Sequence, residues 1–271
     1  MKRIGVIGCG NMGTALIQGM IKSRFTSPIG IIAWDEDSGK LKRMVRSLGI
    51  RAARSNPDLV EKSRVVLLAV KPQQMEEVLK EIRPHLGKRP LLVSIAAGIS
   101  TRWIEKRVGG KVPVIRVMPN TPALVRSGIS AIAPGRAATA AMIRTAKGIF
   151  RGVGEVVEVQ ERLMDAVTAV SGSGPAYFFF LMEQMIEEGI HLGLSREAAR
   201  RLVLATAEGA AKLAVSSGET PSLLRARVTS KGGTTEAAFK VFARAGLGRT
   251  IRAGIRAAAA RAKKLGSPGE E

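Results

Sequence analysis

Residues 3–13 read Arg3-Ile4-Gly5-Val6-Ile7-Gly8-Cys9-Gly10-Asn11-Met12-Gly13. The apolar start is typical of a buried parallel strand, and the residues after position 13 have the apolar spacing of a helix. In a GxGxxG between strand and helix, the first glycine permits a tight turn, the second admits a pyrophosphate, and the third allows close packing. The stretch therefore predicts a dinucleotide-binding turn, with an ordinary glycine turn as the alternative.

An acidic run, Asp35-Glu36-Asp37, follows the second predicted strand at residues 30–34. Asp35 lies 22 residues after Gly13, close to the spacing of about 20 residues at which a carboxylate holds the adenosine ribose in such folds. A carboxylate there repels a 2′-phosphate and favours NADH, although basic residues at positions 40, 42 and 43 could offset the repulsion. Alternatively, Asp35 caps a helix that begins near Ser38. The choice between NADH and NADPH stays open on this pattern.

The first half of the chain alternates between strand and helix patterns. Further strands are predicted at residues 50–53, 64–70, 91–95, 112–117, 129–133 and 156–159, with a helix over residues 137–150. This alternation predicts an α/β, Rossmann-like domain with a mostly parallel sheet over residues 1–160. Small or polar residues at strand ends would line its crevice. Asn56-Pro57 has the form of a helix N-cap followed by proline at the first helical position.

After Gln160 the strand patterns end, which predicts an all-α domain over residues 161–271 for substrate binding and dimerisation. A helix from near Leu163 is expected to break at residues 171–175 and to continue over residues 176–190. Later helices are predicted after Ser195, at Thr220-Pro221, from about Thr235 and from about Leu247. The segment at residues 176–185 is apolar nearly all round, so we expect it to be buried in a subunit interface.

A glycine-rich turn precedes one of these helices. It reads Ser230-Lys231-Gly232-Gly233-Thr234-Thr235-Glu236. A helix start exposes unpaired amides and the positive end of its dipole, and glycines let a small ligand approach the backbone. The turn therefore predicts a carboxylate-binding site. A tight turn followed by a threonine N-cap is the alternative.

The composition is strongly basic, with 43 Lys and Arg against 22 Asp and Glu and a net charge of +21. This balance favours phosphates, nucleic acid or anionic metabolites. Only 4% of residues are aromatic, so we interpret basic residues such as Arg252, Arg256 and Lys263 as a solvated helix face and do not expect a nucleic-acid partner.

The sequence gives no sign of a metal centre or a membrane span. No metal-ligand cluster is visible, and the two histidines, His85 and His191, are interpreted as structural. No apolar run approaches the roughly 18 residues of a membrane span. The single cysteine, Cys9, cannot form an internal disulfide and fits a reducing compartment, so we expect a cytoplasmic protein.

Five motifs follow one another along the chain: the glycine-rich start and residues 69–72, 120–122, 171–177 and 230–235. Taken together, they resemble the motifs of the pyrroline-5-carboxylate reductases, in the same order and over essentially the full length. The resemblance implies reduction of 1-pyrroline-5-carboxylate to L-proline by NADPH or NADH, the last step of proline biosynthesis. It also implies a homodimer, which many members assemble into decamers.

The resemblance further implies roles for individual residues. Cofactor-binding positions are Gly8, Cys9, Gly10, Asn11, Met12, Gly13, Asp35, Asn56, Ala69, Val70, Lys71, Pro72, Ala96, Ala97 and Gly98. Substrate-binding positions are Ala97, Asn120, Glu161, Ser230, Gly232, Gly233, Thr234 and Thr235, and Thr235 would be the catalytic hydroxyl beside the imine nitrogen.

Three positions depart from the family pattern. Lys231 stands where many members have proline, and Arg227 stands where some have asparagine. Asp35-Glu36 replaces the uncharged or basic residues of strongly NADPH-selective members. The contact to the substrate carboxylate and the cofactor preference are therefore the features most open to difference.

Two other functions remain as alternatives. A β-hydroxyacid dehydrogenase has a similar two-domain layout but needs a catalytic lysine on a helix of its second domain, and no lysine occurs here between Gln160 and Lys212. A basic, non-enzymatic cofactor-binding or nucleic-acid-binding protein would explain the charge. It would give no role to residues 230–235.

Overall fold

The structure, a computed structural model, describes residues 3–87 and 89–265. Within these, the chain groups into two compact units, residues 3–173 with 258–265, and residues 174–257. The predicted domain boundary between residues 160 and 161 stays a prediction.

The first unit contains an eight-stranded sheet. Its strands are β1 (Ile4–Ile7), β2 (Ile31–Trp34), β3 (Arg51–Ala52), β4 (Val65–Leu68), β5 (Leu91–Ser94), β6 (Val114–Met118), β7 (Gly128–Pro134) and β8 (Gly154–Glu158). The order is β3-β2-β1-β4-β5-β6-β7-β8, and every neighbouring pair is parallel except β6 with β7. The prediction of a mostly parallel sheet is confirmed.

Helices cover both faces of this sheet. They are α1 (Asn11–Lys22), α2 (Ser38–Leu48), α3 (Asn56–Glu61), α4 (Met75–Ile82), α5 (Thr101–Val108) and α6 (Ala140–Arg151). One core cluster joins the sheet to α1, α2 and α6 through residues such as Leu16 and Phe150, and the other joins it to α3, α4 and α5 through residues such as Leu59 and Leu79. Because both of their faces are buried, the central strands β1, β2, β4 and β5 read as apolar runs without alternation.

The remaining elements of the described chain after Gln160 are helical, as predicted. They are α7 (Met164–Val167), α8 (Gly174–His191), α9 (Arg196–Ser217), α10 (Pro221–Arg227), α11 (Thr234–Arg244) and α12 (Leu247–Leu265). The expected break at residues 171–175 is wrong in its extent. A π-helical segment, Thr168–Gly172, covers its first two residues, and Gly174 already begins α8, so only Ser173 lies between the two helical segments.

The second unit leaves much of its apolar surface open in a single chain. Phe178, Phe179 and Phe180 on α8 are 66%, 61% and 63% exposed. Contiguous apolar surface of this kind marks a contact with another molecule. No helix of the described residues is both long and apolar enough to cross a bilayer.

A buried arginine ties several elements of the first unit together. Arg116 on β6 is 5% exposed, and its guanidinium lies 3.9 Å from Glu161 Oε1 and 3.6 Å from Asp165 Oδ1. Burial lowers the pKa of Arg116, and the two carboxylates oppose this shift. The charge is therefore retained in the core by two partners that follow β8 in the chain.

We expect Arg116→Leu to lower the free energy of unfolding by about 3 kcal/mol, because it leaves two partly buried carboxylates without their counter-ion. Urea unfolding followed by circular dichroism at constant protein concentration measures the change. The matched control is Arg162→Leu, at an exposed residue whose guanidinium donates to Gln160 Oε1, which should change stability by less than about 0.5 kcal/mol. Equal losses in both variants would contradict a special role for Arg116.

Candidate active site

A cavity of about 280 Å³ lies at the carboxyl ends of β1, β2 and β4. The strand order reverses between β1 and β4, and such a reversal is where open α/β sheets bind their ligands. The cavity is lined by seven of the predicted cofactor-binding residues, Gly8, Gly10, Asp35, Asn56, Ala69, Val70 and Lys71.

The three glycines of the turn have different surroundings. Gly8 has φ +100°, and a Cβ on it would lie 2.5 Å from the carbonyl oxygen of Ala69. A Cβ on Gly13 would overlap the carbonyl oxygen of Gly8. By contrast, no described atom lies within 4 Å of the place a Cβ would take on Gly10. Gly8 and Gly13 are thus required for packing, and Gly10 borders open space in which a phosphate can approach the backbone.

The amino end of α1 suits the same ligand. Gly10 is its N-cap, and no side chain of the described residues caps the helix. The first amides of a helix lack internal partners and carry the positive end of the dipole. Together with the space beside Gly10, they fit the pyrophosphate of a dinucleotide.

The Asp35 carboxylate holds two backbone amides. Its Oδ2 accepts from the N–H of Cys9 at 2.6 Å, and its Oδ1 accepts from the N–H of Asp37 at 2.8 Å. The alternative in which Asp35 caps α2 is wrong, because Asp37 is the N-cap and accepts from Gly39 and Lys40 at 2.9 and 3.0 Å. These hydrogen bonds, chiefly that from Lys40, lower the pKa of Asp37.

Asn56 is not the N-cap that the sequence pattern predicted. Ser55 caps α3 through its hydroxyl, which accepts from the N–H of Asp58 at 3.3 Å, so Asn56 is the first helical residue. The side chain of Asn56 donates to Glu81 Oε2 at 2.8 Å. Its Oδ1 is buried and has no partner among the described residues. An unpaired buried acceptor at a cavity wall fits a ligand hydroxyl or an ordered water.

The Cys9 side chain is structural. It is 5% exposed, and burial, reinforced by the charge of Asp35, raises the pKa of its thiol to about 12. A thiol so far from ionisation is a poor nucleophile. What Cys9 contributes to the site is its backbone N–H.

The other predicted cofactor residues do not line this cavity. Asn11, Met12 and Gly13 form the first turn of α1, and Pro72 begins a 3-10 turn after β4. Residues 96–98 follow β5, where Ala96 is buried and Gly98 has φ +80°. Their roles toward a nicotinamide stay predictions.

Asn120 and Glu161, predicted at the substrate, already make internal bonds. Asn120 Oδ1 accepts from the N–H of Ile129 at 3.0 Å, and its Nδ2 donates to Ser171 Oγ at 3.4 Å. Glu161 accepts from the N–H and the hydroxyl of Thr101, at 2.6 and 2.5 Å. Glu161 thereby fixes the start of α5, directly after residues 96–98.

In the second unit, the turn at residues 230–236 leaves its threonines unpaired. Gly233 is the N-cap of α11, so the alternative of a threonine N-cap is wrong. Glu236 Oε2 accepts from the N–H of Gly232 at 2.8 Å. Among the described residues, the hydroxyls of Thr234 and Thr235 have no hydrogen-bond partner in the chain. These hydroxyls and the first amides of α11 are available to a ligand.

Arg227 is already engaged. Its Nη2 lies 2.6 Å from Glu219 Oε1, and the second oxygen of Glu219 is buried without a partner in the described chain. The rest of the Arg227 side chain is exposed.

Some residues that line the cavity were not predicted from the sequence as cofactor-binding. Polar ones are Glu36, Asp37, Lys40 and Gln74. The position of Asp37 directly before a helical pattern was the available signal, since aspartate is a favoured N-cap. Among the described residues, no group of three or more His, Cys, Asp or Glu could hold a metal ion.

Two family models match the chain. One, described as pyrroline-5-carboxylate reductase dimerisation, matches residues 161–265, and another, described as NADP oxidoreductase coenzyme F420-dependent, matches residues 3–98.

Similar proteins cover nearly the whole chain. The pyrroline-5-carboxylate reductase of Pseudomonas aeruginosa is 43% identical over 97% of this chain and 96% of its own, and that of Methanosarcina acetivorans is 40% identical over 98% of both. The structure of a pyrroline-5-carboxylate reductase from Coxiella burnetii superposes with a TM-score of 0.91 at 35% identity, covering 98% of this chain and 99% of its own.

Two further structures bear on the cofactor and on the alternative function. Plasmodium falciparum pyrroline carboxylate reductase, solved with NADP bound, has a TM-score of 0.90 at 29% identity, covering 98% of both chains. A 3-hydroxyisobutyrate dehydrogenase of Mycobacterium tuberculosis, at 14% identity over 87% of this chain and 72% of its own with a TM-score of 0.51, shares the fold alone. The β-hydroxyacid alternative is therefore not supported. With identities of 40% and 43% over nearly its whole length, the chain belongs to the pyrroline-5-carboxylate reductase family.

Proposed function

We propose that this chain is a pyrroline-5-carboxylate reductase, which transfers a hydride from NADPH or NADH to the C=N bond of 1-pyrroline-5-carboxylate and so forms L-proline, the last step of proline biosynthesis. The observation that carries the proposal is the start of α11, where two threonine hydroxyls and the first helical amides have no partner among the described residues. In a member of this family, these groups suit a small anion with one polar nitrogen.

The cavity at β1, β2 and β4 would hold the cofactor, whose nicotinamide supplies the hydride when bound. The α1 amides and the space beside Gly10 would hold its pyrophosphate. Asp35 would accept a ribose hydroxyl, and the unpaired Oδ1 of Asn56 would bind nearby through a hydroxyl or a water.

The turn at residues 232–235 would hold the substrate. The substrate is an anion through its carboxylate, and the amides of Thr234 and Thr235 lie at the positive end of α11. The Thr235 hydroxyl would form a hydrogen bond with the ring nitrogen and help to keep that nitrogen protonated. The protonation matters because an iminium accepts hydride more readily than a neutral imine. Thr235 is too weak an acid to supply much more, so orientation provides most of the rate.

The active form is proposed to be a homodimer formed mainly by residues 161–271, with dimers assembled into a decamer. The support is the family match over residues 161–265 and the exposed phenylalanines at 178–180. The location is proposed to be the cytoplasm, which fits a chain with a single, buried cysteine.

The direct test of the function is turnover by the purified protein. NADH or NADPH should be oxidised only when 1-pyrroline-5-carboxylate is added, with L-proline as the product. Thr235→Ala should lower kcat about 100-fold, the scale expected for one hydrogen bond that strengthens in the transition state. Thr235→Ser, which keeps the hydroxyl, is the matched control and should stay within about tenfold of the parent.

Cofactor affinity should be the same in the parent and both Thr235 variants, which separates a catalytic effect from misfolding. Unchanged turnover in Thr235→Ala would remove Thr235 from the mechanism. Turnover of a β-hydroxyacid in place of the imine would overturn the proposed function.

A second test uses two glycines of one turn that have opposite surroundings. Gly10→Ala should fold normally. The backbone of Gly10, at φ −70° and ψ −175°, suits alanine, and the added methyl group would enter open space. That methyl group should weaken dinucleotide binding at least tenfold, since it occupies the predicted pyrophosphate position. Isothermal titration calorimetry measures the binding, and thermal unfolding checks the fold.

Gly13→Ala is the contrasting variant. Its methyl group would overlap the Gly8 carbonyl oxygen, so it should lower the unfolding temperature. Normal dinucleotide affinity in Gly10→Ala would contradict the placement of the pyrophosphate.

A further inference from the structure

The turn after β2 uses its own carboxylates to satisfy its amides. The N–H of Asp37 donates to Asp35, and those of Gly39 and Lys40 donate to Asp37, at 2.8, 2.9 and 3.0 Å. The start of a helix is ordinarily a ready anion site. Here the carboxylate of Asp37 already occupies the start of α2, so the two amides that face it are not available to a phosphate.

The charges around this end of the cavity also disfavour a phosphate. Asp35, Glu36 and Asp37 all line it, against the ammonium groups of Lys40 and Lys71. Lys40 Nζ lies 3.5 Å from Asp37 Oδ2 and so already pairs with one of these carboxylates. The three carboxylates that line the cavity outnumber the two ammonium groups, so the 2′-phosphate of NADPH would be repelled.

Glu36 is also held at this end. Gln74 lies in the turn after β4, and its Nε2 donates to Glu36 Oε2 at 3.4 Å. The Glu36 carboxylate therefore has a partner that favours its place beside the cavity, where it adds to the negative potential.

We propose that this cavity selects NADH over NADPH, and that Asp37 determines the selectivity together with Asp35. A ribose 2′-hydroxyl can donate a hydrogen bond to either carboxylate. A 2′-phosphate carries close to two negative charges at neutral pH and can only accept, so it would meet carboxylates and occupied amides. The proposal rests on the cofactor role proposed above for this cavity. The selectivity is inferred from this chain's own residues and not from its relatives, because a relative at 29% identity was solved with NADP bound.

The test is equilibrium binding of ADP-ribose and 2′-phospho-ADP-ribose to the full-length protein, measured by isothermal titration calorimetry at fixed salt. Neither ligand contains nicotinamide, so the readout is independent of turnover. ADP-ribose should bind at least about tenfold more tightly. Asp37→Ser should narrow this ratio at least about threefold, because serine keeps the N-cap of α2 and removes the charge. Asp35→Asn combined with Asp37→Ser should narrow it further.

The matched control is Glu155→Gln, which removes one negative charge from an exposed residue of β8, at the opposite edge of the sheet. It should leave the ratio unchanged. Equal affinities in the parent protein, or equal shifts in Asp37→Ser and Glu155→Gln, would overturn the selectivity and leave the reductase proposal standing. Failure of both ligands to bind would remove the cofactor site and both proposals with it.

Discussion

The Asp35 carboxylate joins the glycine turn after β1 to the turn after β2, and the cavity depends on that junction. One oxygen fixes the N–H of Cys9 and the other fixes that of Asp37. Hydrogen bonds to a charged acceptor are among the stronger ones in proteins. With the two turns held, the open side of Gly10 and the capped start of α2 lie at the same cavity.

In the first unit, glycines at the carboxyl ends of the parallel strands expose backbone amides rather than side chains. Gly8 lets the turn after β1 approach the end of β4, and Gly13 lets α1 approach the end of β1. A methyl group on Gly8 would collide with the carbonyl oxygen of Ala69, and one on Gly13 with that of Gly8. The carboxylates of Glu161 and Asp165 keep Arg116 charged in the core, and Glu161 also holds the start of α5. In the proposed function, a dinucleotide is bound largely by backbone amides, and in the proposed selectivity the carboxylates of Asp35 and Asp37 set which dinucleotide is accepted.

The central strands could be predicted from sequence because they are apolar runs that end at small or polar residues. The helix caps were harder. Ser55 and Asn56 are adjacent and both are good caps, so the pattern left an error of one residue. At α11, Glu236 reaches back to the amide of Gly232, which local composition did not reveal. Thr101, which donates to Glu161, lies 60 residues away in the chain, beyond any local pattern.

The central claim is that this chain delivers a hydride to the imine carbon of 1-pyrroline-5-carboxylate. The most direct measurement supplies cofactor with deuterium at the transferable position of the nicotinamide and analyses the proline by mass spectrometry. The account predicts one deuterium per proline, carried on Cδ, the ring carbon that was the imine carbon of the substrate. Proline without deuterium, or deuterium in another product, would contradict it.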